Sequence, residues 1–260
     1  METTNDYLNY LTCFKNKLGK RLSNKTIRLK LIIIKVFFKY LLKYDYVLSD
    51  PTKMIELPRE EKDLPRNILS EEEVKEILTS IRTNTPLGLR NKAILELLYS
   101  SGIRTSELAN LKIPDVDLKE NTLMIVKGKG NKSRLVPIGQ HASFYIDQYL
   151  IKARKFLLRG KLKDDRYLFL SENGKQLNKE TVNKSVIRNV MKHTKIKKRV
   201  TCYTFRHSVA SHLVKNKVDI KYVGDLLGHN SLRTTQKYVH LDINDLKKMH
   251  SMYHPREQEK

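Results

Sequence analysis

Late in the chain, three kinds of side chain recur at spacings suited to attack on a phosphodiester. Residues 201–213 read TCYTFRHSVASHL and residues 226–241 read LLGHNSLRTTQKYVHL. Arg206 offers a guanidinium, which grips two non-bridging phosphate oxygens at once and keeps its proton. That suits the extra negative charge of a pentavalent phosphorane. His229 follows Gly228 at a predicted helix end, where an imidazole can hydrogen-bond a phosphate oxygen. Tyr238 offers a hydroxyl nucleophile. A phenol titrates near about 10, so it needs cations or a base beside it. In return, a phosphotyrosine link conserves the energy of the broken bond, and the strand can be rejoined without ATP. Each residue alone also fits an ordinary structural role, and the chain holds thirteen Tyr.

Arg104 and Lys129 extend the set. Arg104 follows Gly102-Ile103, and a glycine there lets backbone and side chain come close to a ligand. Glu107, three residues on, can orient the guanidinium or form an ordinary helical ion pair. Lys129 sits between glycines in Lys127-Gly128-Lys129-Gly130-Asn131-Lys132. A lysine at such a tip can reach into a groove and protonate a departing 5′-oxygen, helped by arginines that lower its pKa. Spacing alone does not choose among Lys127, Lys129 and Lys132. His207 and His212 are five apart, which misses the helical i,i+4 metal pair, so no metal site is expected.

These residues need elements to hold them. Ser70 and Glu73 form a capping box ahead of EEEVKEILTSI, which predicts a helix. Further helices are expected over residues 88–100, 105–111, 140–159, 178–194, 203–217, 219–227, 231–241 and 243–252. Strand character appears over 115–118, 122–126 and 133–138, the last two flanking the Gly-rich turn as a hairpin. Residues 23–44 carry apolar side chains near helical spacing behind Ser23 or Asn24 as N-cap. The Ile32-Ile33-Ile34 triplet favours strand, but the run is too long for one. The charged, proline-flanked stretch 57–65 reads as a linker. The expected organisation is a helical domain over 1–57, a linker over 58–69 and a second domain over 70–241, followed by residues 242–260.

Composition points to the partner. Lys+Arg number 51 against 28 Asp+Glu, a formal net charge of +23 over 260 residues. Such an excess implies a polyanion and salt-dependent binding by counterion release. A Lys-rich genome is the competing explanation. The clustering favours the polyanion: residues 15–43 carry ten basic side chains and no acidic one. Lys25, Arg28, Lys30, Lys132 and Arg134 are the expected DNA contacts. Two cysteines make no disulfide framework, which fits a reducing cytoplasm, at the nucleoid if the polyanion is DNA. The run LIIIKVFF is too short to span a bilayer, and the polar N-terminus does not read as a signal peptide.

In order, the segments SGIRTSEL, GKGNKSRLVP, TFRHSVASHL, LLGHNSLRTTQKYVHL and DLKKMHSMYHPR resemble the tyrosine recombinase (phage integrase) family. They are most similar to its Xer branch, the site-specific recombinases that resolve chromosome dimers. The resemblance runs over residues 23–256. It implies a mainly α fold with a small antiparallel β-sheet: a helical DNA-clamp domain plus a catalytic domain. It implies Arg104 and Arg206 as phosphate clamps, Lys129 as the acid, His229 as the histidine of the Leu-Gly-His motif and Tyr238 as the nucleophile. The implied reaction passes through a 3′-phosphotyrosyl intermediate and a Holliday junction, with no metal or nucleotide cofactor. The implied partners are double-stranded DNA with paired sites, a homotetramer and, for some members, an accessory or partner recombinase. Residues 242–260 would dock on a neighbouring subunit, with Leu246 and Met249 as anchors.

Two departures stand out. The family's usual His or Lys three residues before the second arginine is Tyr203 here, a poor proton acceptor. Water or His229 would then serve as base. The clamp domain is also short, about sixty residues where the family has around a hundred. Competing assignments are a mobile-element or viral integrase, a type IB topoisomerase-like enzyme, a catalytically impaired DNA-binding relative and a basic DNA-binding protein without chemistry.

Overall fold

The computed structural model describes residues 2–16, 18–59, 68–126, 133–158, 166–228 and 243–258. The chain divides into two units, residues 1–66 and 67–260. The first holds α1 (Glu2–Cys13) and α2 (Asn24–Lys43). Ser23 caps α2, its hydroxyl accepting from the Thr26 N–H. The unit's buried core is small: Leu11, Ile27, Leu31 and Ile55. Lys35 closes it by donating to the Thr52 and Ile55 carbonyls, at 2.9 and 2.7 Å. Helix α1 was not among the expected elements. The isoleucine triplet lies within α2, where tertiary burial of Ile27 and Leu31 overrides β propensity.

The second unit contains α3 (Glu71–Thr79), α4 (Pro86–Ser101), α5 (Thr105–Asn110), β1 (Val116–Asp117), β2 (Thr122–Ile125) and β3 (Arg134–Pro137). There follow α6 (Gln140–Gln148), α7 (Arg154–Leu158), α8 (Lys179–Thr181), α9 (Arg188–Met191), α10 (Cys202–Lys215), α11 (Ile220–Leu227) and α12 (Ile243–Tyr253). The strands form one antiparallel sheet in the order β1-β2-β3, with Leu123 opposite Val136 and Ile125 opposite Arg134. The expected helices over 140–159 and 178–194 are each interrupted by a wide π turn, Tyr149–Ala153 and Val182–Ile187. The expected helix over 231–241 lies outside the described residues.

Helix α4 is the axis of this unit. Thr85 caps it, Pro86 occupies its first turn, and Leu89 through Ser101 are buried all round apart from Asn91. Its buried charges are satisfied. Arg90 donates to the Leu170 carbonyl at 2.9 Å, Lys92 to the Leu78 carbonyl at 2.8 Å, and Glu96 pairs with Arg256 at 2.8 Å. Helix α10 packs on it through the same core, with Phe205, Val209 and Leu213 buried. Helix α4 ends at Gly102 in the left-handed conformation, φ +58°. A Cβ there would lie 2.5 Å from Leu227 Cδ2, so glycine is required by both backbone and space.

Residues 247–258 pack on their own chain. His250 Nε2 donates to the Ser100 carbonyl at 2.7 Å, and His254 Nε2 to the Tyr99 carbonyl at 2.9 Å. Asn216 donates to the Tyr253 carbonyl, while Met249 and Tyr253 lie against the core. In the single chain these contacts are made in cis. The side chain of Leu246 lies outside the described residues. Among the described residues, no helix is long and apolar enough to cross a membrane.

Candidate active site

The site forms where two helices end. Gly102 closes α4 and Gly228 closes α11, both left-handed, φ +58° and +62°. Their last carbonyls carry the partial negative charge of a helix C-terminus. Two arginines fill the junction crosswise. Arg206, from α10, donates to the Gly102 carbonyl at 2.6 Å and to the Leu227 carbonyl at 2.5 Å. Arg104, at the start of α5, donates to the Gly228 carbonyl at 2.7 Å. The two guanidinium groups thus come together although 102 positions separate them in sequence.

Glu107 sits one helical turn into α5 and fixes Arg104 twice. Its Oε2 accepts from the Arg104 backbone N–H at 2.9 Å, and its Oε1 from the Arg104 side chain at 3.1 Å. Arg134, the first residue of β3, binds the same carboxylate through both terminal nitrogens, each at 2.9 Å. Burial alone would raise the Glu107 pKa. The Arg134 side chain, the Arg104 N–H and both positive charges outweigh it and bring the carboxyl down to about 2.

Arg206 is only 7% exposed. Burial, then the charge of Arg104 and that of Arg134, lower its guanidinium to about 10, so it stays protonated at neutral pH. Three guanidinium charges against one carboxylate leave a surplus of two. The Arg104 side chain is 38% exposed, so part of this surplus faces outward. A dianionic phosphorane would fit such a cradle, held by fixed donors that need little reorganisation.

Tyr203 lies one turn before Arg206 and is 68% exposed, its ring edge-on to His207 at 4.1 Å between centroids. Burial and the Arg206 charge lower the His207 pKa, keeping that imidazole neutral. His212 faces away from the arginines, donating to the Leu69 carbonyl and accepting from the Tyr99 hydroxyl. Among the described residues, no group of three or more His, Cys, Asp or Glu could hold a metal ion.

The other expected site residues divide as follows. Lys129, Lys132, His229 and Tyr238 lie outside the described residues. Of the expected DNA contacts, Lys25 and Lys30 are exposed on α2. Arg28 donates to the Pro58 carbonyl at 2.8 Å. Arg134 turns inward: its side chain is 15% exposed and committed to Glu107. Sequence reasoning missed that role because a strand residue's long-range partner leaves no periodic signal. The two C-capping glycines were visible as Gly before Ile-Arg and Gly before His. The use of their helix-end carbonyls as arginine acceptors was not.

A model of the phage integrase family matches residues 67–245. Tyrosine recombinase XerC of Bacillus pumilus is 39% identical over 238 residues, 91% of this chain and 77% of the relative. Tyrosine recombinase XerD of Listeria innocua is 36% identical over 252 residues, 97% of this chain and 82% of the relative. Among solved structures, XerA recombinase matches with a TM-score of 0.55 and 30% identity, covering 97% of this chain and 82% of that one. The fold also matches XerH bound to palindromic difH substrate in a post-cleavage complex, with a TM-score of 0.68, 23% identity and coverage of 96% and 69%. The chain belongs to the phage integrase family and is a site-specific tyrosine recombinase, one of a group of enzymes that cleave and rejoin DNA.

Proposed function

We propose that this recombinase carries out Xer-type strand exchange between paired DNA sites. The single observation that supports the assignment of roles is the crossed seating of Arg104 and Arg206 on the caps of α4 and α11. In this proposal the two guanidinium groups clamp the scissile phosphate and Tyr238 attacks it. Lys129 protonates the leaving 5′-oxygen, and His229 hydrogen-bonds the phosphate. A 3′-phosphotyrosyl link forms as the phosphodiester breaks, and attack by a partner strand's 5′-hydroxyl returns the bond. Two rounds on paired sites pass through a Holliday junction. The enzyme acts where the cell's DNA is, on duplex sites of the kind that XerH binds as difH. Lys25 and Lys30 contact DNA from the amino-terminal unit, and Lys132 from the hairpin.

The proposed assembly is a tetramer. Residues 247–258 have a cis seat on α4, and the same contacts made in trans would link protomers by exchange of an identical element. That is also what separates this proposal from a topoisomerase, which works alone. The experiment is a nicked suicide duplex carrying the recognition sequence, selected beforehand from random DNA. A covalent protein–DNA adduct is expected with the wild type and none with Tyr238→Phe. An adduct that persists in Tyr238→Phe would assign the nucleophile elsewhere.

A further inference from the structure

Arg134 stands outside the roles given so far. It opens β3, opposite Ile125, at the base of the hairpin whose tip carries Lys129 in sequence. Its guanidinium touches two other parts of the site. Both terminal nitrogens bind Glu107, one to each carboxylate oxygen, in a bidentate fork. The same planar group lies against Gly228. A Cβ on that residue would sit 2.7 Å from Arg134 Cζ, 2.8 Å from Nε and 3.0 Å from Nη1. Strand β3, the first turn of α5 and the cap of α11 therefore meet on one side chain.

Glu107 is a buried carboxylate between two arginines. With Arg134 present, its charge is compensated by a group that has no other charged partner among the described residues. Arg104 then keeps its own charge. Without Arg134, Glu107 would draw on Arg104 alone, and the site's surplus would fall from two charges to one. The carboxylate would also pull the Arg104 guanidinium toward itself and away from the Gly228 carbonyl that now holds it.

We propose that Arg134 is a positioning residue for strand cleavage: it satisfies Glu107, so that Arg104 remains aimed and fully charged toward the scissile phosphate. This rests on the assignment of Arg104 as a phosphate clamp. It differs from a DNA contact, which would act on affinity, and from a plain structural brace, which removal of Glu107 would not repair.

The test compares Arg134→Met, Arg134→Lys, Glu107→Gln and the double variant Arg134→Met/Glu107→Gln. Single-turnover cleavage of the suicide duplex and the DNA dissociation constant are measured for each. Arg134→Met is expected to slow cleavage about 100-fold, the size of losing one preorganised donor, with affinity within about 3-fold. Arg134→Lys keeps the charge without the fork and should fall between wild type and Arg134→Met. The double variant removes carboxylate and partner together, restores the surplus of two, and should cleave at least about 10-fold faster than Arg134→Met. A double variant as slow as Arg134→Met, or slower, overturns the proposal. So does an Arg134→Met loss that appears only in affinity. A wild type that forms no adduct would sink the cleavage assignment separately. The positioning role would then be decided by inorganic phosphate titrated against the Arg104 guanidinium resonances. Binding weakened by Arg134→Met and regained in the double variant upholds it, and equal binding in all four variants overturns it.

Discussion

Acid should loosen the carboxy-terminal segment from α4. Two imidazoles hold that segment, and both are seated as neutral rings. His254 Nε2 donates to the Tyr99 carbonyl, while its Nδ1 accepts from the Arg256 backbone N–H at 3.2 Å. Adding a proton at Nδ1 would set two donors against each other. His250 donates from Nε2 to the Ser100 carbonyl and stacks on His254, centroids 4.5 Å apart and planes 12° apart. Both rings are buried. Burial lowers both pKa values first of all; for His254 the neighbouring His250 adds to it. The other groups facing the pair are Glu257, which favours the charged form of His250, and Arg256 and His212, which oppose it on His254.

A histidine depressed in the folded state binds fewer protons there than when released, so its stabilisation is complete above the ordinary value near about 6.5 and is lost as pH falls below it. A ring that stays neutral in the seated form costs the closed state about 1.4 kcal/mol between pH 7.5 and 5.5, so the pair sets an upper limit of roughly 3 kcal/mol. That is about 100-fold in the closing equilibrium. Amide hydrogen exchange over residues 247–258, corrected for the intrinsic pH dependence, should show protection falling with acid, by up to that factor. The double variant His250→Gln/His254→Gln should show no such fall. Flat protection in the wild type, or an equal fall in the double variant, would refute the neutral-ring account.

Two further outcomes are expected. Gly228→Ala combines a left-handed non-glycine residue, about 1–2 kcal/mol, with a methyl driven into the held Arg134 guanidinium, about 1–3 kcal/mol. Urea unfolding of the second unit should therefore show a loss of roughly 3 kcal/mol; a loss of only about 1 kcal/mol, the backbone cost alone, would mean the guanidinium does not rest there. Tyr203→His should keep or raise the single-turnover cleavage rate, because the exposed phenol is a poor base and an imidazole is a good one. A large drop with the fold intact would give the phenol a function of its own.

What was legible in the sequence was what acts locally. The Ser70–Glu73 box reads off two residues three positions apart, and both of its hydrogen bonds are present. Arg104 and Glu107 are i,i+3 on one helix, so their contact follows from spacing. The hairpin follows from two apolar runs around a Gly-rich turn. Contacts that cross the fold left no such trace. Arg134 looked like one more basic residue in a basic chain, and only the packing of β3 beside α5 and α11 turns it inward. His250 lies in α12 and His254 just past its end, four positions on, a spacing that by itself equally describes an exposed face. Their burial depends on Tyr99 and Ser100, about 150 positions away. The π turns inside the expected long helices were invisible for the same reason: neither glycine nor proline marks them.

The placement of the arginines explains why the fold ends two helices at one point. A guanidinium buried without partners would be costly, and pairing it fully with carboxylates would cancel the charge the chemistry needs. Backbone carbonyls at a helix C-terminus resolve the conflict: they accept hydrogen bonds and stabilise a cation, but they carry no net charge to subtract from it. Arg206 uses two of them and has no carboxylate partner among the described residues. Arg104 uses one, together with a carboxylate whose charge is shared with Arg134. Left-handed glycine caps are needed because α4 and α11 must stop abruptly enough for their carbonyls to turn toward a neighbour, with no side chain between them. The two glycines and Arg134 are therefore as much a part of the site's electrostatics as the arginines they hold, although none of the three needs to touch DNA.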